Sequence, residues 1–297
     1  MSGTANPPIL VGVDGSPASL AAARWAADAA TLRRHPLRLV AAFRWPAQAY
    51  TVQARGELPD TEAIRDEARR QLGAEVDRLR EEYPDITIDG DFVEASPARV
   101  LVERSGDAAL TVVGQRGLGG LSGLLLGSVS AQVAAHARGP VVVVPATENV
   151  PPSEADRPVV VGVDGSALSE AAIEFAFAEA SWRRARLVAV HAWMAPGSDR
   201  PHDRVPLYYN LDEVAEEERR MLSESLAGWR ERYPDVPVEP VLVHGTPVPE
   251  LLQRSADAWL LAVGSRGRGG FAGLVLGSTS RSLLHRAPCP VAVLRSR

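Results

Sequence analysis

Lysine is missing from this 297-residue chain, so all 32 basic side chains are arginine. That absence excludes a Walker-type phosphate loop, which needs Gly-Lys-Ser/Thr, and with it a Schiff-base lysine and the lysine of a protein-kinase site. Any phosphate held by this chain must be met by backbone N–H groups and guanidinium. Cysteine is almost absent too. Cys289 alone can form neither an internal disulfide nor a thiolate cluster, which fits a reducing compartment. No apolar run approaches the length of a membrane span, and residues 1–8 carry neither a basic stretch nor an apolar one. We therefore expect a cytoplasmic protein with no membrane partner. A positive net charge is also lacking. The formal charge of −5 argues against a nucleic-acid partner.

Signatures of catalysis are equally sparse. No Ser-His-Asp elbow, metalloprotease motif or paired-carboxylate site stands out, and His35, His136, His202, His244 and His285 have no metal-ligand spacing. No general base neighbours the glycine motifs described next, so efficient hydrolysis has little support and no catalytic residue is assigned.

What is present is a glycine signature that occurs twice. Gly114-Gln-Arg-Gly117 is followed after nine residues by Gly127-Ser128, and the pattern returns 150 positions later as Gly264-Ser-Arg-Gly267, nine residues, Gly277-Ser278. Each copy follows an apolar run and precedes a helix-like stretch. A strand ending in glycine can turn sharply through positive φ, and its backbone N–H groups can approach an anion closely. Gly127-Ser128 and Gly277-Ser278 fall where a helix should begin, bringing unpaired N–H groups, a hydroxyl and the positive end of the helix dipole together. That is a phosphate cradle; the competing reading is a flexible loop whose glycines serve tight turns.

The 150-residue offset extends well past the glycines. Val11-Gly-Val-Asp-Gly-Ser16 matches Val161-Gly-Val-Asp-Gly-Ser166, Tyr83-Pro-Asp85 matches Tyr233-Pro-Asp235, and Pro140-Val141 matches Pro290-Val291. Pairing Trp45 with Trp193 makes the offset slip to 148 in between, implying a small insertion or deletion. A period this long means duplicated domains rather than a solenoid. We place the domains at 1–146 and 158–297, with a polar, proline-bearing linker at 147–157. In the first half, strand character is expected at 9–14, 37–43, 86–93, 110–113 and 141–144, and helices at 18–32, 61–83 and from 97 to 105. Leu72, Val76 and Leu79 make an apolar stripe on the second helix. Strands alternating with helices imply right-handed crossovers and a parallel sheet, hence two tandem α/β, doubly wound, Rossmann-like domains. Ligands of such sheets bind beyond the carboxyl ends of the strands.

Asp14 and Asp164 end the first strand of each half and could accept hydrogen bonds from a ribose or base, or help hold a metal. Alternatively Asp14 or Ser16 simply caps the following helix. Arg116 and Arg266, inside the glycine loops, could reach phosphate oxygens in a fork geometry or lie solvated. Residues 41–43 and 189–191, including Ala41 and Ala189, should flank a base. His191 then aligns with Phe43, and Trp45 and Trp193 either close over the base or pack.

Together these motifs resemble the universal stress protein family, specifically its tandem two-domain members common in actinobacteria. The family's ATP-binding pattern of Gly, two residues, Gly, nine residues, Gly, then Ser or Thr is matched in both halves, and the Pro288-Cys-Pro-Val291 strand is similar too. The resemblance implies a five-stranded parallel sheet per half and two domains forming a pseudo-dimer, with further homodimerisation and a regulatory protein partner. It implies ATP with Mg2+ as cofactors, its phosphates on Gly114, Gly117, Gly127 and Ser128, or on Gly264, Gly267, Gly277 and Ser278. Val129, Ser130, Thr279 and Ser280 would add amides. The segments 44–59 and 194–211 differ, which leaves the two sites inequivalent. The function implied is a non-catalytic, or at most very slow, ATP-dependent regulator in stress or dormancy. Alternatives are a cyclic-AMP buffer, a slow ATPase or autophosphorylating enzyme, and a scaffold that keeps its glycines for packing.

Overall fold

A computed structural model of the protein describes residues 6–43, 61–118, 126–146, 157–194, 210–268 and 275–295. The chain divides into two units, Met1–Glu148 and Asn149–Arg297. The expected linker apart from Arg157, the segments 44–59 and 195–209, Trp45 and His202 lie outside the described residues.

The first unit runs β1 (Ile9–Gly12), α1 (Pro17–Arg33), β2 (Leu37–Ala42), α2 (Thr61–Glu82), β3 (Ile88–Val93), α3 (Pro97–Arg104), β4 (Leu110–Gly114), α4 (Ser128–His136) and β5 (Val141–Val144). Its strands pair in parallel in the order β3-β2-β1-β4-β5. The second unit repeats this as β6 (Val159–Gly162), α5 (Ala167–Arg183), β7 (Leu187–Trp193), α6 (Leu211–Arg232), β8 (Val238–His244), α7 (Pro247–Arg254), β9 (Leu260–Gly264), α8 (Ser278–Arg286) and β10 (Val291–Leu294). Its parallel order is β8-β7-β6-β9-β10.

Local chemistry explains the elements. The strands β1, β4 and β5 are nearly all apolar because helices cover both faces, and Ile9, Val11, Leu110, Val112, Val141 and Val142 have no exposure at all. Alanine dominates α1, which lets the helix lie close on the sheet; Ala22, Ala23, Ala26 and Ala30 are fully buried. Ser16 caps its start by accepting from Ser19 N at 3.2 Å, and Pro17 occupies the first turn. Arg34 ends the helix at φ 55, a left-handed position that glycine usually fills. The expected stripe of Leu72, Val76 and Leu79 faces the core of α2, while Arg70–Glu67 and Arg78–Glu82 pairs line its wet side.

Register corrects one expectation. Gly12 pairs with Val40 and Gly162 with Val190, so the offset of 150 holds straight through β2 and β7. His191 therefore corresponds to Ala41, and Trp193 to Phe43. No insertion or deletion is required, since α2 and α6 also begin 150 apart.

Within each sheet the first and fourth strands are neighbours, and the chain leaves them in opposite directions. The crevice at their carboxyl ends is the switch point at which ligands of such folds bind.

Candidate functional site

Each unit opens a cleft at that switch point. In the first, Asp14, Gly114, Arg116 and Gly117 line one side and Gly127, Ser128, Val129 and Ser130 the other, around a volume of about 170 Å³. The second unit brings together Asp164, Gly264, Arg266, Gly267, Gly277, Ser278, Thr279 and Ser280 around about 430 Å³. Sixteen of the eighteen residues singled out by sequence thus converge in two equivalent places.

Ala41 and Ala189 do not join them. Side chains alternate along a strand, and it is Val40 and Ala42, with Val190 and Ala192 in the second unit, that face the clefts. Ala41 and Phe43 instead line a separate cavity of about 310 Å³ on the other side of Asp14, and Ala189 is wholly buried. The clefts also recruit Gly12, Pro97 and Leu101, and Gly162, Pro247 and Leu251. Sequence alone gives those residues no site role; the signal that marks two of them is a proline, Pro97 or Pro247, opening the helix that follows β3 or β8.

The glycine loop is fastened from several sides. Asp14 Oδ1 accepts from Ser16 N at 3.0 Å and Oδ2 from Leu118 N at 2.9 Å; Asp164 does the same with Ser166 N at 3.0 Å and Arg268 N at 3.1 Å. Ser16, not Asp14, is the helix cap, and its hydroxyl also donates to the Arg116 carbonyl at 3.2 Å. Ser130 lines the cleft, and its Oγ donates to the carbonyls of Gln115 and Gly127, each at 2.9 Å, so the hydroxyl itself braces the loop. Ser280 braces the second loop in the same way at 3.0 Å from Ser265 O and Gly277 O.

Close approach, not positive φ, is what the motif glycines serve. Among the described residues positive φ occurs in glycine only at Gly15, Gly165 and Gly245. A Cβ on Gly114 would lie 2.6 Å from the Ala18 carbonyl carbon and 2.8 Å from Ser19 N, and one on Gly117 would lie against the Asp14 carboxylate. Gly264 and Gly267 meet Leu168 and Asp164 in the same fashion. Gly127 and Gly277 each hold an extended conformation at the start of α4 or α8, where no side chain caps the helix. The first-turn N–H groups of Ser128, Val129 and Ser130, or of Ser278, Thr279 and Ser280, therefore have no side-chain cap from that residue, and they begin helices whose positive ends meet the cleft.

Behind the second cleft, on the far face of β7, buried His191 is held at both nitrogens. Nδ1 donates to the Val163 carbonyl at 2.7 Å and Nε2 lies 2.7 Å from Glu218 Oε2. Trp193 is 8% exposed and lies at a tilt of 46° against His244 with centroids 4.6 Å apart, so it packs within the unit.

Comparison with known proteins places these features in context. A model of the universal stress protein family matches residues 6–145 and again 157–295. The chain is 41% identical to universal stress protein Rv2623 of Mycobacterium tuberculosis, across 99% of this chain and 98% of that protein. It is 40% identical to a universal stress protein of Mycolicibacterium smegmatis, across 97% of each. The crystal structure of a universal stress protein from Archaeoglobus fulgidus superimposes with a TM-score of 0.70 at 22% identity and covers 98% of both chains; at that identity the likeness shows the fold.

Proposed function

The chain belongs to the universal stress protein family, and from that premise we propose that each unit binds one adenine nucleotide, ATP with magnesium, as a non-catalytic regulator in stress or dormancy. The observation that carries the reading is the pairing, made twice, of a helix start without a side-chain cap and a glycine loop bound to an aspartate across a cleft. Helix N-termini of this kind hold phosphate through backbone N–H groups and the dipole, as a chain without lysine requires. The adenosine would extend towards Val40 and Ala42, or Val190 and Ala192, where the lining is apolar.

Magnesium fits this arrangement as a passenger on the nucleotide. Among the described residues no group of three or more His, Cys, Asp or Glu side chains could hold a metal ion. Asp14 and Asp164 are the carboxylates of the two clefts. The cation's ligands would then be phosphate oxygens and water. The same two carboxylates already accept loop N–H groups, so neither is aimed as a general base at a water, which is why the reading is binding rather than turnover.

Isothermal titration of nucleotide-stripped protein with Mg-ATP tests it, with a parallel titration of cyclic AMP. Two ATP per chain, reduced to one by Gly117→Asp and likewise by Gly267→Asp, is the expected outcome. Tighter cyclic-AMP binding would make the protein a buffer of that messenger, and steady ADP release abolished by the glycine variants would make it an enzyme. No binding of either nucleotide, with the fold intact, would leave the scaffold.

A further inference from the structure

The two clefts differ in the charge they offer to a phosphate chain. Position for position, the second carries Arg268 where the first has Leu118, and Thr279 where the first has Val129. Leu118 is 71% exposed and lines the cavity on the far side of Asp14 instead of the first cleft. Arg268, by contrast, lines the second cleft directly. Its guanidinium lies over Gly165, in the space a Cβ at that residue would occupy. Glycine at 165, with φ +71, is thus what lets the arginine lie across the start of α5.

A further cation stands nearby. Arg295 follows β10 where the first unit has Pro145. Burial chiefly, and then the charge of Arg266, hold its guanidinium below the usual arginine value. The formal side-chain charge of the lining is zero in the first cleft, from Asp14 and Arg116, and +1 in the second, from Asp164, Arg266 and Arg268. The second cleft encloses about 430 Å³, whereas the first unit divides the space around Asp14 between about 170 Å³ in the cleft and about 310 Å³ in the adjoining cavity. A triphosphate needs both more length and more compensating charge than a single phosphate does, and an arginine fork supplies the latter with direction.

We propose that the two halves are specialised: the second cleft selects nucleoside triphosphates over monophosphates, Arg268 is the residue that sets that selectivity, and the first cleft discriminates weakly by phosphate number. This rests on the nucleotide-binding reading above and sharpens it to a ligand class for each half. The first cleft holds its ligand mainly through the nucleoside part and the α4 amides. The second adds a charged grip on the distal phosphates.

The test uses the full chain with one cleft disabled at a time. In the Gly117→Asp background, Mg-ATP and AMP are titrated into the second cleft; in the Gly267→Asp background, into the first. Circular dichroism and melting of each variant confirm that the fold is kept. The ratio of AMP to ATP dissociation constants should be at least about tenfold larger in the second cleft, equivalent to about 1.4 kcal/mol. Arg268→Leu should bring that ratio down to the value of the first cleft, and Leu118→Arg should raise the first. Arg268→Lys should restore part of the preference, since it keeps charge but loses the fork. ATP binding to the second cleft should also weaken more steeply with added salt. Equal ratios in the two clefts, or a ratio that Arg268→Leu leaves untouched, overturn the specialisation while nucleotide binding stands. Absence of binding in both single-cleft chains and in the parent overturns the nucleotide reading and this inference with it.

Discussion

A single methyl group separates the packing of the glycine loop from its failure. Gly114 sits where α1 crosses the end of β4, and an added Cβ would meet backbone atoms of Ala18 and Ser19 at 2.6–2.8 Å. Backbone cannot swing aside as a flexible side chain can, so Gly114→Ala should cost roughly 1–3 kcal/mol. Gly73 offers the opposite case. It lies inside α2 with nothing within 4 Å of an added methyl, so Gly73→Ala should gain roughly 0.5–1 kcal/mol by removing backbone freedom from the unfolded chain. Urea denaturation of the two variants against the parent measures both. Equal midpoints for Gly114→Ala and the parent would mean that the helix is not held against the strand as described. The same contact explains how one residue serves two ends: a glycine needed to seat α1 also leaves the loop backbone bare towards the cleft.

At the scale of elements, the start of α1 is both a cap and a latch. Ser16 accepts from Ser19 N and donates to the Arg116 carbonyl, whereas Ser96 at the start of α3 makes no side-chain cap. Ser16→Ala should therefore cost about 1 kcal/mol and weaken nucleotide binding in the first unit, while Ser96→Ala changes stability by no more than a few tenths. The other end of α1 runs in the stabilising direction. Arg34→Gly relieves a left-handed residue with φ 55 and should raise stability by roughly 0.5–1 kcal/mol. Chemical denaturation of the three variants separates these effects, and a Ser16→Ala chain as stable as the parent would remove the cap from the account.

Much of this was legible in the sequence, and the misses have physical causes. The apolar runs of β1, β4 and β5, the alanines of α1 and the stripe of α2 read correctly because both burial and period are local. The glycine motif was visible, but its reason was not: Ala18 and Gly114 are distant in sequence, and their contact exists only once β1 and β4 are neighbours. Ala41 reads as well as Ala42 because Leu39-Val-Ala-Ala-Phe43 is apolar on both faces, so no alternation marks which side chain meets the cleft. Matching Trp45 to Trp193 misled for a similar reason, the identity of one residue outweighing a register that only strand pairing fixes.

Over the whole molecule, the absence of lysine and the burial of the one cysteine make two separable predictions about pH. Guanidinium does not deprotonate in proteins, and without lysine no basic side chain should change the charge of the clefts as pH rises from about 8 to about 10. A phosphate's second ionisation, near pH ~6, is already complete there. ATP affinity should accordingly stay level through that range. Stability should not. Burial pushes the Cys289 thiol from 9.0 up to about 12, and burial followed by the Asp28 hydrogen bond raises Tyr83 as well. A group whose folded value is raised contributes stability that is fully present below its unfolded value and lost as pH climbs towards the folded one. For Cys289 the window runs from 9.0 to about 12, because the unfolded chain releases a proton that the native chain keeps. Within it, stability should fall by about 1.4 kcal/mol per pH unit for that one thiol. Below it the thiol should resist alkylation unless the chain is unfolded, since the thiolate is the nucleophile. Urea midpoints and iodoacetamide labelling follow the thiol, and titration calorimetry follows the clefts. A fall in affinity by about pH 9.5 with the fold unchanged would place a titrating group in the phosphate site, and the anion would then rest on something other than arginine and backbone.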